Sequence, residues 1–167
     1  AELVGALDVE VVVMNALTIN LHLLMASFYR PNGKRKKILI EKNAFPSDRY
    51  AVQSQLKFHG NNPNEDLLIL QPKNGEHILI NDVISCLDKH GDEIALVLMG
   101  GVNYYTGQAF DMASITDKAQ NCGCRIGFDL AHATGNIKMN LHEWGIDFAA
   151  WCGYKYLNGG PGAPSTV

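Results

Sequence analysis

Several things are scarce in this sequence, and each scarcity closes off a class of protein. No run of about 18 uninterrupted apolar residues occurs, the length a membrane-spanning helix needs, so no membrane partner is expected. Cysteine is sparse: Cys86, Cys122, Cys124 and Cys152 are the four. They form no paired C-x-x-C zinc pattern, and reduced thiols in a cytoplasmic protein are the simplest reading. Among six histidines no pair stands at i, i+4 on a candidate helix, so His132, His142 and the nearby Asp129 do not suggest a metal centre. Neither sign of charge dominates: 14 basic and 17 acidic residues give a net charge of -3. The one basic cluster, Lys34-Arg35-Lys36-Lys37, follows a Pro-Asn-Gly turn and reads as a solvated loop, so nucleic acid is not expected either. Repeats and low-complexity tracts are missing too. The opening Ala1-Glu2-Leu3 has no start methionine and no basic n-region. It reads as the middle of something longer, not as a secretion leader.

What is present suits a compact domain: 47% hydrophobic and 19% charged residues over 167 positions. Val9 to Met14 reads as a buried strand. Thr18 caps a helix whose apolar positions are Ile19, Leu23, Leu24 and Phe28, stopped by Arg30-Pro31-Asn32-Gly33. Lys37 to Glu41 is a second strand. Ser47 or Asp48 caps a helix to about His59, closed by Gly60. Leu67 to Leu70 is a strand stopped by Pro72. A helix runs from Asn81 to Gly91, carrying Val83, Ile84 and Leu87. Ile94 to Met99 is apolar throughout, as expected of a strand covered on both faces. Asp111 opens a helix to about Asn121, and Arg125 to Leu130 and Phe148 to Cys152 are the last strands. This alternation predicts an α/β fold, a mostly parallel sheet with helices on both faces. Ligands of such sheets sit beyond the carboxyl ends of the strands. Thr18, Asp48, Asp129, His132 and Lys155 all fall there.

Four of these residues carry chemistry, and each also has a plain structural reading. Lys155 lies in Trp151-Cys-Gly-Tyr-Lys-Tyr-Leu-Asn-Gly-Gly160, between two tyrosines. Desolvation among apolar groups frees an amine to attack a carbonyl; alternatively, it is a surface lysine flanked by packing tyrosines. Thr18 at a helix start offers a phosphate seat or an ordinary cap. Asp129 ends a strand, where a buried carboxylate needs a partner. That partner is a protonated ring nitrogen or the following turn. His132 contacts a ring, or is simply a satisfied histidine. The set says more than its members. A phosphate seat, an aromatic Phe45, a buried Asp and a lysine 26 residues after it describe a pyridoxal phosphate site.

These residues stand in blocks. They include Val13-Met14-Asn15-Ala16-Leu17-Thr18, Ala44-Phe45-Pro46-Ser47-Asp48, Tyr105-Thr106-Gly107-Gln108, Gly127-Phe128-Asp129-Leu130-Ala131-His132-Ala133 and Tyr154-Lys155-Tyr156-Leu157-Asn158. In that order, and nearly to Gly160, the chain resembles the kynureninase family. These are pyridoxal 5'-phosphate enzymes of the aspartate-aminotransferase fold type, close to the class V aminotransferases. The resemblance implies that Lys155 is the Schiff-base lysine and Asp129 the pyridinium partner. It implies further that Tyr154 bonds the phosphate and that Leu17 and Thr18 form the phosphate-binding turn. Phe45 matches the ring-stacking residue, Pro46, Ser47 and Asp48 line the same wall, and His132 is a further cofactor contact.

The implied reaction is hydrolysis of L-kynurenine or 3-hydroxykynurenine to anthranilate or 3-hydroxyanthranilate plus alanine, in tryptophan catabolism toward NAD. A homodimer is implied for the full-length protein. A cysteine desulfurase or another class V enzyme is the alternative reaction. Two departures stand out. Gly100-Gly101 replaces the family's Ser-Gly, leaving Gly100 only a backbone contact to offer, and the tail Pro161 to Val167 diverges. The expectation is therefore an incomplete large domain over 1–167, without the N-terminal segment and C-terminal small domain. Such a chain is expected to have unpaired sheet edges, poor solubility and no activity alone.

Overall fold

The computed structural model describes all 167 residues. In chain order the elements are α1 (Leu17–Phe28), β1 (Lys37–Glu41), α2 (Pro46–Phe58), the single turn α3 (Pro63–Asp66), β2 (Leu67–Leu70) and α4 (Ile80–His90). Then come β3 (Ile94–Gly100), α5 (Met112–Asn121), β4 (Arg125–Asp129), β5 (Phe148–Cys152) and β6 (Ser165–Thr166). The six strands form one sheet, ordered β2-β1-β3-β4-β5-β6. Every pairing is parallel except β5 with β6.

Period-two alternation sends successive side chains to two separate cores. Ile38, Ile40, Leu96, Leu98, Phe148 and Ala150 meet Leu21, Met25, Val52 and Leu56 of α1 and α2. Leu39, Val97, Met99, Ile126, Phe128 and Trp151 meet Val83, Leu87, Ile115 and Ala119 of α4 and α5. The helices thus cover both faces, as the right-handed crossover rule requires when strand order reverses. The reversal lies between β1 and β3, the place where a crevice opens in such sheets. One packing demand explains Gly127. A Cβ there would meet the Phe148 ring at 2.2 Å.

Five sequence expectations are corrected in whole or in part. Val9 to Met14 is not a buried strand: Asp8–Glu10 is a 3-10 turn, and Val9 is 89% exposed. The second half of that segment does pair with the tail: Val12 and Val167 exchange N–H···O bonds, Met14 N–H donates to Ser165 O and Ser165 N–H to Asn15 O, around a bridge from Val13 to Thr166, yet Val12 and Val13 stay more than half exposed. Thr18 does not cap α1. Ala16 holds the cap position, because the left-handed Asn15 (φ 52°) turns the chain one residue earlier. The buried face of α1 is Asn20, Leu21 and Met25; of the expected positions Leu24 and Phe28 do pack against this core, while Ile19 and Leu23 are half exposed. Finally, of the edges expected to be unpaired, β2 remains one, but the tail covers β5. Ser165 and Thr166 turn back to pair with Cys152 and Trp151. The cap of α2 shifts too: Phe45 holds it and Pro46 takes the first helical position, which its fixed φ suits.

The basic cluster is not a solvated loop throughout. Arg35 donates to the carbonyls of Gly91, Ile94 and Cys122 at 2.7 to 3.0 Å. Lys34, Lys36 and Lys37 pair with Asp92, Asp66 and Glu93. No helix is long and apolar enough to cross a membrane.

Candidate active site

The carboxyl ends of β1, β3 and β4, the start of α1 and the turn after β5 enclose a cavity of about 330 Å³. Ten of the eleven residues singled out in the sequence line it: Leu17, Thr18, Phe45, Ser47, Asp48, Gly100, Asp129, His132, Tyr154 and Lys155. Pro46 does not. Its place in the first turn of α2 faces a neighbouring cleft with Arg49 and Tyr50.

One end of the cavity is built for an anion. Asn20 is fully buried and donates to Met14 O at 2.8 Å, while Asn15 donates to Asn20 at 3.1 Å. This clamp fixes the turn that starts α1. No side chain caps the helix, and the N–H groups of Leu17 and Thr18 bond nothing in the chain. Free N–H groups and the helix dipole together attract a phosphate. Tyr154 lines the same cavity, and its phenol pKa is raised by burial, then by Cys152, so the O–H stays a donor.

The other end collects acids. Asp129 Oδ1 accepts the Ala131 N–H at 2.8 Å, which fixes its carboxyl at the end of β4. Asp48, in the first turn of α2, faces it. Burial and then Asp129 hold the Asp48 carboxyl well above the ordinary range, so it keeps a proton and shares it with Asp129. Ser47 donates to Asp48 at 3.3 Å.

Lys155 is the only lysine lining the cavity. It lies in the turn just past β5, not on a strand. Its Nζ is 3.1 Å from His132 Nε2, 5.2 Å from the Phe45 ring centre and 5.9 Å from that of Tyr154. Burial, then the Lys155 charge, lowers the His132 pKa, so a neutral imidazole accepts from the amine at neutral pH.

Four lining residues were not singled out in the sequence: Ala16 at the cap of α1, Glu41, Val102 and Tyr104. Glu41 ends β1, is 3% exposed, and lines the same cavity. Burial pushes its carboxyl up to about 7. Its signal was an acid at the carboxyl end of an apolar strand. Tyr104 stands edge-on to Phe45 with ring centres 5.0 Å apart, and Val102 lies beside it. Both belong to the loop after β3, of which the sequence reading used only Gly100 and the Tyr105-Thr106-Gly107-Gln108 block.

The donor set fits pyridoxal phosphate: free N–H groups and a phenol at one end, a proton-sharing acid pair at the other. An amine and an aromatic face line the same cavity, 5.2 Å apart. The chain as a whole is similar to known proteins. Kynureninase from Flavobacterium johnsoniae is 57% identical over 100% of this chain and 40% of its own length. Kynureninase from Homo sapiens is 54% identical over 96% of the chain and 35% of its own. The chain therefore spans about two fifths of the length of the curated relatives it matches. The cysteine desulfurase CsdA from Escherichia coli shares the fold, with a TM-score of 0.79, 18% identity, and 99% of this chain and 40% of that one covered. The family model described as aminotransferase class V matches residues 1–163, and the chain belongs to that family.

Proposed function

We propose that residues 1–167 are the cofactor-binding part of a kynureninase's large domain. The reaction is hydrolysis of L-kynurenine or 3-hydroxykynurenine to anthranilate or 3-hydroxyanthranilate plus L-alanine. One observation carries the reading. Lys155, Asp129 and the start of α1, distant in the chain, line one cavity in a sequence more than half identical to kynureninases along its length.

Pyridoxal phosphate, when bound, supplies an electron sink for negative charge developing at the substrate's Cα. The chain's own groups do the rest. Leu17 and Thr18 N–H groups and Tyr154 would hold the phosphate. Asp129, backed by the proton on Asp48, would keep the ring nitrogen protonated. Phe45 and Tyr104 form an apolar wall that excludes water from that side. Lys155 would anchor the aldehyde and, once displaced by substrate, move a proton at Cα. His132, neutral and 3.1 Å away, is placed to take a proton from the Lys155 amine.

The protein is proposed to act as a cytoplasmic homodimer. The unpaired cysteines and the half-exposed Ile19 and Leu23 on α1 support that reading. The 167-residue chain alone is proposed to be inactive, since it spans two fifths of its relatives; turnover of 3-hydroxykynurenine by this polypeptide would refute that. Lys155→Ala is expected to abolish the near-visible absorbance of the protein carrying this chain when loaded, and to cut anthranilate release by about 10³-fold or more. A surviving band removes Lys155 from its role. Sulfide release from cysteine in place of anthranilate would instead favour a cysteine desulfurase, the kind of enzyme that the fold neighbour CsdA is named as.

A further inference from the structure

Glu41 is the one acid in the cavity whose position no step above requires. Its Oε1 accepts the Gly100 N–H at 3.1 Å across the strand-order reversal. Its Oε2 is buried and has no partner. The Asn103 amide is close enough to favour the charged form slightly, but its Nδ2 is directed at the carbonyls of Lys42 and Asn43, at 3.4 and 3.2 Å, and forms no hydrogen bond with Oε2. Gly100 lacks a side chain to help, and a Cβ there would stand 3.1 Å from Oε1. The charged groups facing Glu41 are both acids, Asp129 from β4 and Asp48 from α2. From β2 the register partner is Leu70, and the loop after β3 presents Asn103. No cation is among them. An oxygen so enclosed, without a donor and beside like charge, is best satisfied by carrying a proton itself. Burial, reinforced by Asp129, does hold this carboxyl up to about 7.

We propose that Glu41 is a third carboxyl of the acid end: a positioning residue that keeps a proton in the unloaded site and gives it up when a cationic ring nitrogen is held at the Asp48–Asp129 pair. This rests on the cofactor reading above. On loading, the O–H bond of Glu41 breaks, the proton leaves to the buffer, and the electron pair stays as carboxylate charge facing the cation. The orphan oxygen thus serves as a charge reserve that matches the site to a cationic ring.

Calorimetric titration of the unloaded protein carrying this chain with pyridoxal 5'-phosphate, in buffers of different ionisation heat, counts the protons. At pH 6 the wild type is expected to release up to about one proton per site more than Glu41→Gln. At pH 9, above the Glu41 carboxyl, the two should agree. A second measurement needs no variant. Protein labelled with ¹³C at its glutamate side-chain carboxyls should show a protonated glutamic acid C=O band at pH 6 that disappears on loading. Equal proton counts at pH 6 overturn the proposal. So does the absence of that band before loading, or a weakening of Glu41→Gln by one factor at every pH, which would make Glu41 a matter of shape. Protein that takes up no pyridoxal phosphate overturns the cofactor reading and this proposal with it, whereas normal loading without the proton difference overturns the proposal alone.

Discussion

The middle of β1, β3 and β4 and the carboxyl tips of the same strands lie a few residues apart, yet they are built to opposite ends. In the middle, Leu39, Val97 and Phe128 are fully buried in apolar contact, with no polar group left over. At the tips, Glu41, Asp129 and nearby Asp48 crowd three acids into one cavity, with a bare oxygen among them. The middle lowers the energy of the fold. The tips hold groups that the fold alone would not choose, and like charge packed together is a mark of a site selected for something other than stability. Substitutions should therefore change sign on moving a few residues along a strand.

The largest effect is expected at the middle. Phe128→Ala should cost about 3–5 kcal/mol in denaturant unfolding, since a fully buried ring leaves a cavity. Gly127→Ala comes next, at about 3 kcal/mol, because its Cβ has the Phe148 ring in its way. Unchanged midpoints for both would break the contrast. At the tips the sign reverses. The Glu41 carboxyl rises from 4.5 unfolded to about 7 folded, so its favourable contribution is present in full below pH 4.5 and lost as pH climbs to 7. Relative to Glu41→Gln, the unloaded wild type should lose up to about 3 kcal/mol across that window and stay level above it. Thermal melts of both proteins from pH 4 to pH 8 measure the difference; parallel curves would mean the tip is as settled as the middle. The smallest effect is expected where neither regime applies. Val9→Ser should move the midpoint by less than about 0.5 kcal/mol, since Val9 is 89% exposed.

The same contrast explains what the sequence disclosed. β3 and β4 were legible because strands covered on both faces must be apolar at every position. Val9 to Met14 has a similar apolar composition, yet it pairs only with the short tail beyond the last strand and leaves Val9, Val12 and Val13 more than half exposed. Hydrophobicity states a need for cover, and only the topology says whether cover arrives. The face of α1 was misjudged because Leu17, Ile19, Leu21, Leu23, Leu24 and Met25 surround the helix with apolar groups, so periodicity has no preferred side. β6 was missed because two residues after a proline give no pattern. Most of the cavity's residues were readable, since chemistry-bearing side chains after strand ends are few. Glu41 was not, because one acid ending a strand looks like any strand terminus until β3 is laid beside it.

The reversal of strand order between β1 and β3 has a consequence for how the molecule holds together. The cavity's walls come from the start of α1, from α2, from three strand tips and from the turn at Lys155, so no fragment of the chain contains it. An occupant seated there would act as a rivet through segments that join late and from afar. Heat should then release the occupant and melt the sheet as one event, with a midpoint that climbs with the occupant's concentration.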